Sequence, residues 1–245
     1  MWDRVDLKTK AKKVLKKNYW KAFLISFILM LVGGHNLGGN NVSSNNVRWN
    51  MGYDHIGYEV ITSAIFLVIM IIAVISLIRV FLGYILEVGG RKFFIRAAED
   101  DSDMNYLGFG FNRTRYLEII KTMFVRSILT FLWTLLLIIP GIVKSYAYAM
   151  VPYILADNPN IGYRRAIELS NDMTMGHKFD MWVLNLSFIG WYLLGVLTFG
   201  IGTFFVSPYE DSTNAELYLA LRENAIRRGM CTCGELNLRS EDVFR

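Results

Sequence analysis

Few residues in this 245-residue chain are of types that do chemistry, and their spacing argues against most chemistries. The histidines His35, His55 and His177 stand at neither HxxxH nor HExxH spacing, so no zinc-binding helix face forms from them. Cys231 and Cys233 make a C-T-C, two thiols where a closed zinc site needs four ligands, and they read as a reduced pair. The acidic run AEDDSD offers Glu99, Asp100, Asp101 and Asp103 to a divalent cation. It lacks the alternation and the glycine of a calcium loop, and reads as a solvated helix end and turn. Gly108 and Gly110 are followed by no phosphate-loop pattern, and no GxSxG nucleophile elbow occurs. The expectation is therefore a protein that is not an enzyme, with no catalytic residue, cofactor or metal.

Two Pro-Tyr pairs and one arginine remain. Met150 to Tyr153 reads M-V-P-Y and Val206 to Tyr209 reads V-S-P-Y; each follows a Gly-Ile pair and precedes an amphipathic stretch. This is a faint internal repeat of two hairpins. A proline near the end of a membrane helix frees a backbone carbonyl that needs a partner, and Tyr153 and Tyr209 are candidates. Arg126 lies inside an apolar run, where a cation requires an anionic or carbonyl partner. Arg126, Pro152, Tyr153, Pro208 and Tyr209 together mark a candidate vestibule facing the cytosol.

The elements that would position them are helices in a membrane. Hydrophobic residues make up 53% of the chain, and the 19% that are charged gather between apolar runs instead of alternating through them. The fold class expected is all-α, a polytopic helical membrane protein with about six membrane-inserted segments and interfacial amphipathic helices. The segments fall at 19–32, 60–86, 119–139, 141–156, 181–198 and 200–209. A basic interfacial helix at 1–21 precedes them, an amphipathic helix at 210–228 closes the single membrane domain of 1–228, and 229–245 is a cytosolic tail. The segment to about residue 58 reads as an Asn-rich loop, and 89–118 as a polar connector. Glu87 and Arg91, four apart, can pair on one helix face. Pro140-Gly141 reads as a tight turn, residues 161–173 as a helix lying along the membrane surface, and Glu210-Asp211 as the first turn of the last helix.

Charge sets the orientation. Eight Lys and Arg fall in residues 1–21, five in 89–118, three in 156–180 and five from Glu210 onward, against Arg48 and Lys144 outside. That bias puts both termini in the cytosol of a multi-pass cell-membrane protein. The net charge of +5 is explained by an anionic lipid surface, with headgroups at the N-terminal basic helix, and nucleic acid is not an expected partner. A membrane-protein partner or a homo-oligomer fits the large apolar area.

The elements I-I-P-G-I with Y-A-Y-A-M-V-P-Y-I-L-A-D-N-P, then L-S-F-I-G-W, T-F-G-I-G, S-P-Y and A-E-L-Y-L-A-L, resemble a bacterial family of integral membrane proteins known as domain of unknown function 975. The basic entry at Leu7 to Leu15 is similar too. More remotely the chain resembles the membrane domain attached to some glycerophosphodiester phosphodiesterases. The resemblance implies multi-pass helices and no established activity, and supplies no catalytic residues. Two functions are thus expected: a non-enzymatic scaffold or accessory subunit in envelope maintenance or export, or a small transporter or lipid-handling protein built around the vestibule.

Overall fold

Helix α2, His55–Ile78, is almost entirely apolar from Ala64 onward, rich in β-branched and aliphatic residues. From Thr62 to Arg79 every side chain is exposed, so the helix is apolar all round without being covered by protein. The computed structural model describes residues 4–32, 55–197 and 201–238, and every regular element among them is helical. His35 lies outside the described residues, as do Gly200 and most of the Asn-rich loop.

No loop separates α2 from α3, Tyr84–Ala98; a π-turn over Arg79–Gly83 joins them into one rod. At that junction the surroundings change from exposed to buried. Val88, Phe93, Phe94 and Ile95 are core residues, and so are the charged Glu87, Arg91 and Lys92. The expected polar connector of 89–118 is thus corrected: its first part is the central helix of the core, and a 3-10 segment at Met104–Phe111 lies against it. Gly89 permits that approach, since a Cβ there would stand 2.2 Å from the Leu107 carbonyl oxygen.

Helix α4, Arg113–Leu136, starts at an Asn112 side chain that accepts from the Thr114 amide. It turns back through one extended residue, Leu137, into α5, Ile138–Ala147. Pro140 and Gly141 therefore sit in the first turn of α5 instead of forming the reversal, a place where the missing proline N–H costs nothing. Gly141 lets the two helices touch: a Cβ would lie 2.6 Å from the Thr134 Cα. The expected segment at 141–156 falls within one helical stretch, Ile138–Asp157, which carries a turn at Tyr148 to Met150 before α6, Val151–Asp157, with Pro152 near its start.

Helix α7, Tyr163–Thr174, buries Ala166, Leu169, Ser170 and Met173 against α4, α5, α6 and α9. The apolar face expected on a lipid surface is covered by protein. The same holds for α1, Arg4–Val32, one continuous helix whose Leu7, Ala11, Leu15, Ala22 and Ile25 pack on α9 and α3. Helix α8, Lys178–Leu197, is followed by α9, Ile201–Arg227, which runs through Pro208 without stopping. Glu210 and Asp211 accordingly lie mid-helix, not at an N-terminus. Gly195 repeats the role of Gly141, because a Cβ there would stand 2.8 Å from the Thr203 amide nitrogen in α9.

Four helical stretches are long and apolar enough to cross a membrane among the described residues: Thr62–Ala98, Arg113–Leu136, Ile138–Asp157 and Lys178–Leu197.

Candidate functional site

Glu87 and Arg91 lie one turn apart on α3, and each meets a partner that is remote in sequence. The Arg126 guanidinium reaches Glu87 Oε1 at 3.4 Å, and Arg91 Nη1 donates to Asp211 Oδ1 at 2.6 Å. The Ser26 hydroxyl donates to the other Asp211 oxygen at 2.6 Å, so α1 is tied to the same carboxylate. The Arg91 guanidinium also stands 5.2 Å over the Tyr153 ring. Asp211 is fully buried, and burying a charge is tolerable only when it is paired and hydrogen-bonded as here. The partner that Arg126 needs is thus Glu87, supplied by the end of the long apolar run that leads into α3.

A second cluster continues from the far side of Tyr153, whose ring stacks on Tyr218 at 5.3 Å. Tyr218 donates to Asp157 Oδ2 at 2.7 Å, and Arg222 donates to the same oxygen and to Glu99 Oε1, both at 2.9 Å. Burial works against the Arg222 charge, yet Asp157, Tyr218 and Glu99 outweigh it and hold the guanidinium above its ordinary pKa. Burial foremost, with Asp157 beside it, pushes the Tyr218 phenol well up, which keeps it a proton donor. Lys92 donates to the Ala156 carbonyl at 2.6 Å and lies 4.5 Å from the Phe109 ring.

Of the five residues proposed for a vestibule, Pro152, Tyr153 and Pro208 are buried. Tyr209 is half-buried, edge-on to Phe188 at 5.3 Å. The two Pro-Tyr pairs are not equivalent, since Pro152 opens a helix after a turn and Pro208 sits inside one. What joins their surroundings is α3, which carries Arg91 between Tyr153 and Asp211. Glu99, expected in a solvated acidic run, belongs to the Arg222 cluster, while Asp101 accepts from the Tyr106 hydroxyl and Asp103 caps the 3-10 segment.

The arrangement suits cohesion better than acid–base chemistry, because its carboxylates Glu87, Asp157 and Asp211 face arginines, which do not give up their protons. Among the described residues no cluster of three or more His, Cys, Asp or Glu is placed to hold a metal. Cys231 is buried, and that burial pushes its thiol up to about 11, away from reactivity. The tail around it is fastened: Arg165 Nε lies 2.5 Å from Glu235 Oε1 and its Nη2 donates to the Met230 carbonyl at 2.6 Å. The Arg165 hydrogen bond accordingly draws the Glu235 carboxyl below its usual range.

Residues 121–225 match a family model described as protein of unknown function (DUF975). The match runs from α4 into α9 and takes in Arg126, Tyr153, Asp157, Asp211, Tyr218 and Arg222. The basic entry at Leu7 to Leu15 lies outside it, as do Glu87 and Arg91. No curated protein and no solved structure matches the chain.

Proposed function

We propose that this chain is a non-enzymatic, multi-pass membrane protein with both termini cytosolic, acting as a scaffold or accessory subunit in envelope maintenance or export. Helix α2 carries the reading: every side chain from Thr62 to Arg79 is exposed, and its inner end is anchored in the core as α3. An apolar helix held out from its own bundle offers area to a neighbouring membrane protein or a second copy of the chain. The test is a photo-crosslinking residue at Ile69 in native membranes. One protein, or a second copy, captured in stoichiometric yield is expected; capture of lipid alone would remove the reading.

A second reading, a small transporter or lipid-handling protein, is favoured by the paired charges Glu87, Arg126, Arg91 and Asp211 between the two hairpins, since ionisable groups within apolar helices mark solute paths in many membrane proteins. The remote resemblance to a phosphodiesterase-linked membrane domain points the same way. Substituting Arg126 by glutamine should abolish any solute flux measured in proteoliposomes while leaving the Ile69 crosslink intact.

A further inference from the structure

A cavity of about 330 Å³, broadly open to the surface, lies between α4, α5 and α7. One wall is apolar, formed by Val125, Leu129 and Ile167. Helix α4 continues that wall outward through Ile128, Leu132 and Trp133, which share its face at spacings of three and four and are exposed. The other walls carry the positive charges of Lys144 and Arg164, with Lys121 and Lys178 outside the lining but in contact with it. Lys144 of α5 stands 5.2 Å from the Trp133 ring and 5.7 Å from the Tyr148 ring. Arg164 of α7 donates from Nε to the Tyr163 hydroxyl at 3.0 Å, and Lys121 lies 5.1 Å over the same ring. Lys178 donates to Asn171 Oδ1 at 3.2 Å and is close enough to Lys144 for the two ammonium groups to repel.

None of these four cations has a carboxylate partner among the described residues. The carboxylate on the cavity wall, Glu168, is within 3.4 Å of Arg165. Helix α7 also begins here without a side-chain cap and without an acidic residue in its first turn, which leaves the positive end of its dipole uncompensated. The buried arginines Arg91 and Arg222, by contrast, are matched to carboxylates. Around this cavity the cations have only ring faces and neutral oxygens.

We propose that the cavity binds the phosphate of an anionic phospholipid, with Lys144 and Arg164 on the phosphate oxygens and an acyl chain along the Val125–Leu129–Trp133 face of α4. The chemistry shared with a free phosphate is the anion; the apolar wall running out from the charges commits the site to a lipid, since basic pockets between membrane helices take anionic headgroups. The inference deepens the lipid-handling side of the membrane reading and rests on that reading.

The test is native mass spectrometry of the full delipidated chain in detergent, titrated with phosphatidylglycerol, phosphatidylcholine and inorganic phosphate. Wild type is expected to prefer phosphatidylglycerol to phosphatidylcholine, and Lys144→Gln with Arg164→Gln to lose that preference by tenfold or more. Lys144→Arg should keep it, and Arg228→Gln, an exposed position just past the end of α9, should not change it. Equal binding of both lipids by wild type, or an unaltered preference in the double variant, overturns the proposal. Phosphate that displaces the lipid at low millimolar concentration overturns the lipid source. Should the double variant fail to fold, Lys121→Gln, an exposed position, carries the test with a smaller loss expected and no loss overturning it. A chain recovered from the soluble fraction that still selects phosphatidylglycerol through Lys144 would refute the membrane reading alone.

Discussion

At the scale of single residues, Asp211 shows why pairing matters more than the presence of charge. Asp211→Ala would leave Arg91 buried without its carboxylate, and removing one partner of a buried ion pair costs about 3–5 kcal/mol. Thermal unfolding in detergent should show that loss, while Arg91→Met with Asp211→Leu should recover much of it. Glu216 faces α1 with no such match. Burial, aided by Asp6 and opposed by Lys10, raises its carboxyl to about 7. Because the folded chain binds that proton more tightly than the unfolded one, the contribution is fully present below the unfolded value and is lost as pH rises through about 7. Glu216→Gln should therefore raise stability at pH 8, by about 1–2 kcal/mol since the site is partly solvated, and leave it unchanged near pH 4. A variant equally stabilised at both pH values would contradict this. Arg126's need for a partner is legible in the sequence, but Glu87 as that partner is not: 39 residues separate them, and only spacings of three or four advertise a pair.

At the scale of elements, the helices are legible wherever apolar runs are long, as in α2, α4 and α8. Helix α3 is not, because its glycines and charges, GGRKF, look like a loop until Asp211 and the Ala156 carbonyl satisfy them from afar. The amphipathic faces of α1 and α7 are apolar as the sequence has them, but periodicity records only that a face is covered and not whether lipid or protein covers it. Charge counting sets Lys144 on the outer side and Arg164 on the inner, and the structure brings both to the lining of one cavity. The hairpin contacts give a direct prediction. Gly141→Val would push side-chain atoms into the Thr134 backbone, which cannot yield as a flexible side chain can. A loss of about 1–3 kcal/mol is expected from such overpacking. Gly190→Ala, where nothing lies within 4 Å, should be nearly neutral in the same assay.

At the scale of the whole molecule, exposed and buried apolar residues separate along the chain. Helix α2, the later part of α4, the start of α5 and much of α8 show large apolar side chains to the outside, while α3, α6, α7 and the second half of α9 enclose theirs. The charge clusters lie in the enclosed part, and the cavity of α4, α5 and α7 lies where the two parts meet. The π-turn at Arg79–Gly83 gives this division a mechanical meaning. One additional residue in a turn rotates the next helix by about 100°, so α2 and α3 present unrelated faces of one continuous helical rod. On the proposed membrane reading, a bilayer thinner than α2 would tilt it, and the tilt would act on the helix that carries Glu87 and Arg91. Hydrogen exchange of the α3 amides should therefore differ between short-chain and long-chain bilayers, more than exchange in α7; identical protection would show that the joint flexes. If α2 spans a bilayer as proposed, a rigid joint would make the Arg91–Asp211 pair respond to membrane thickness.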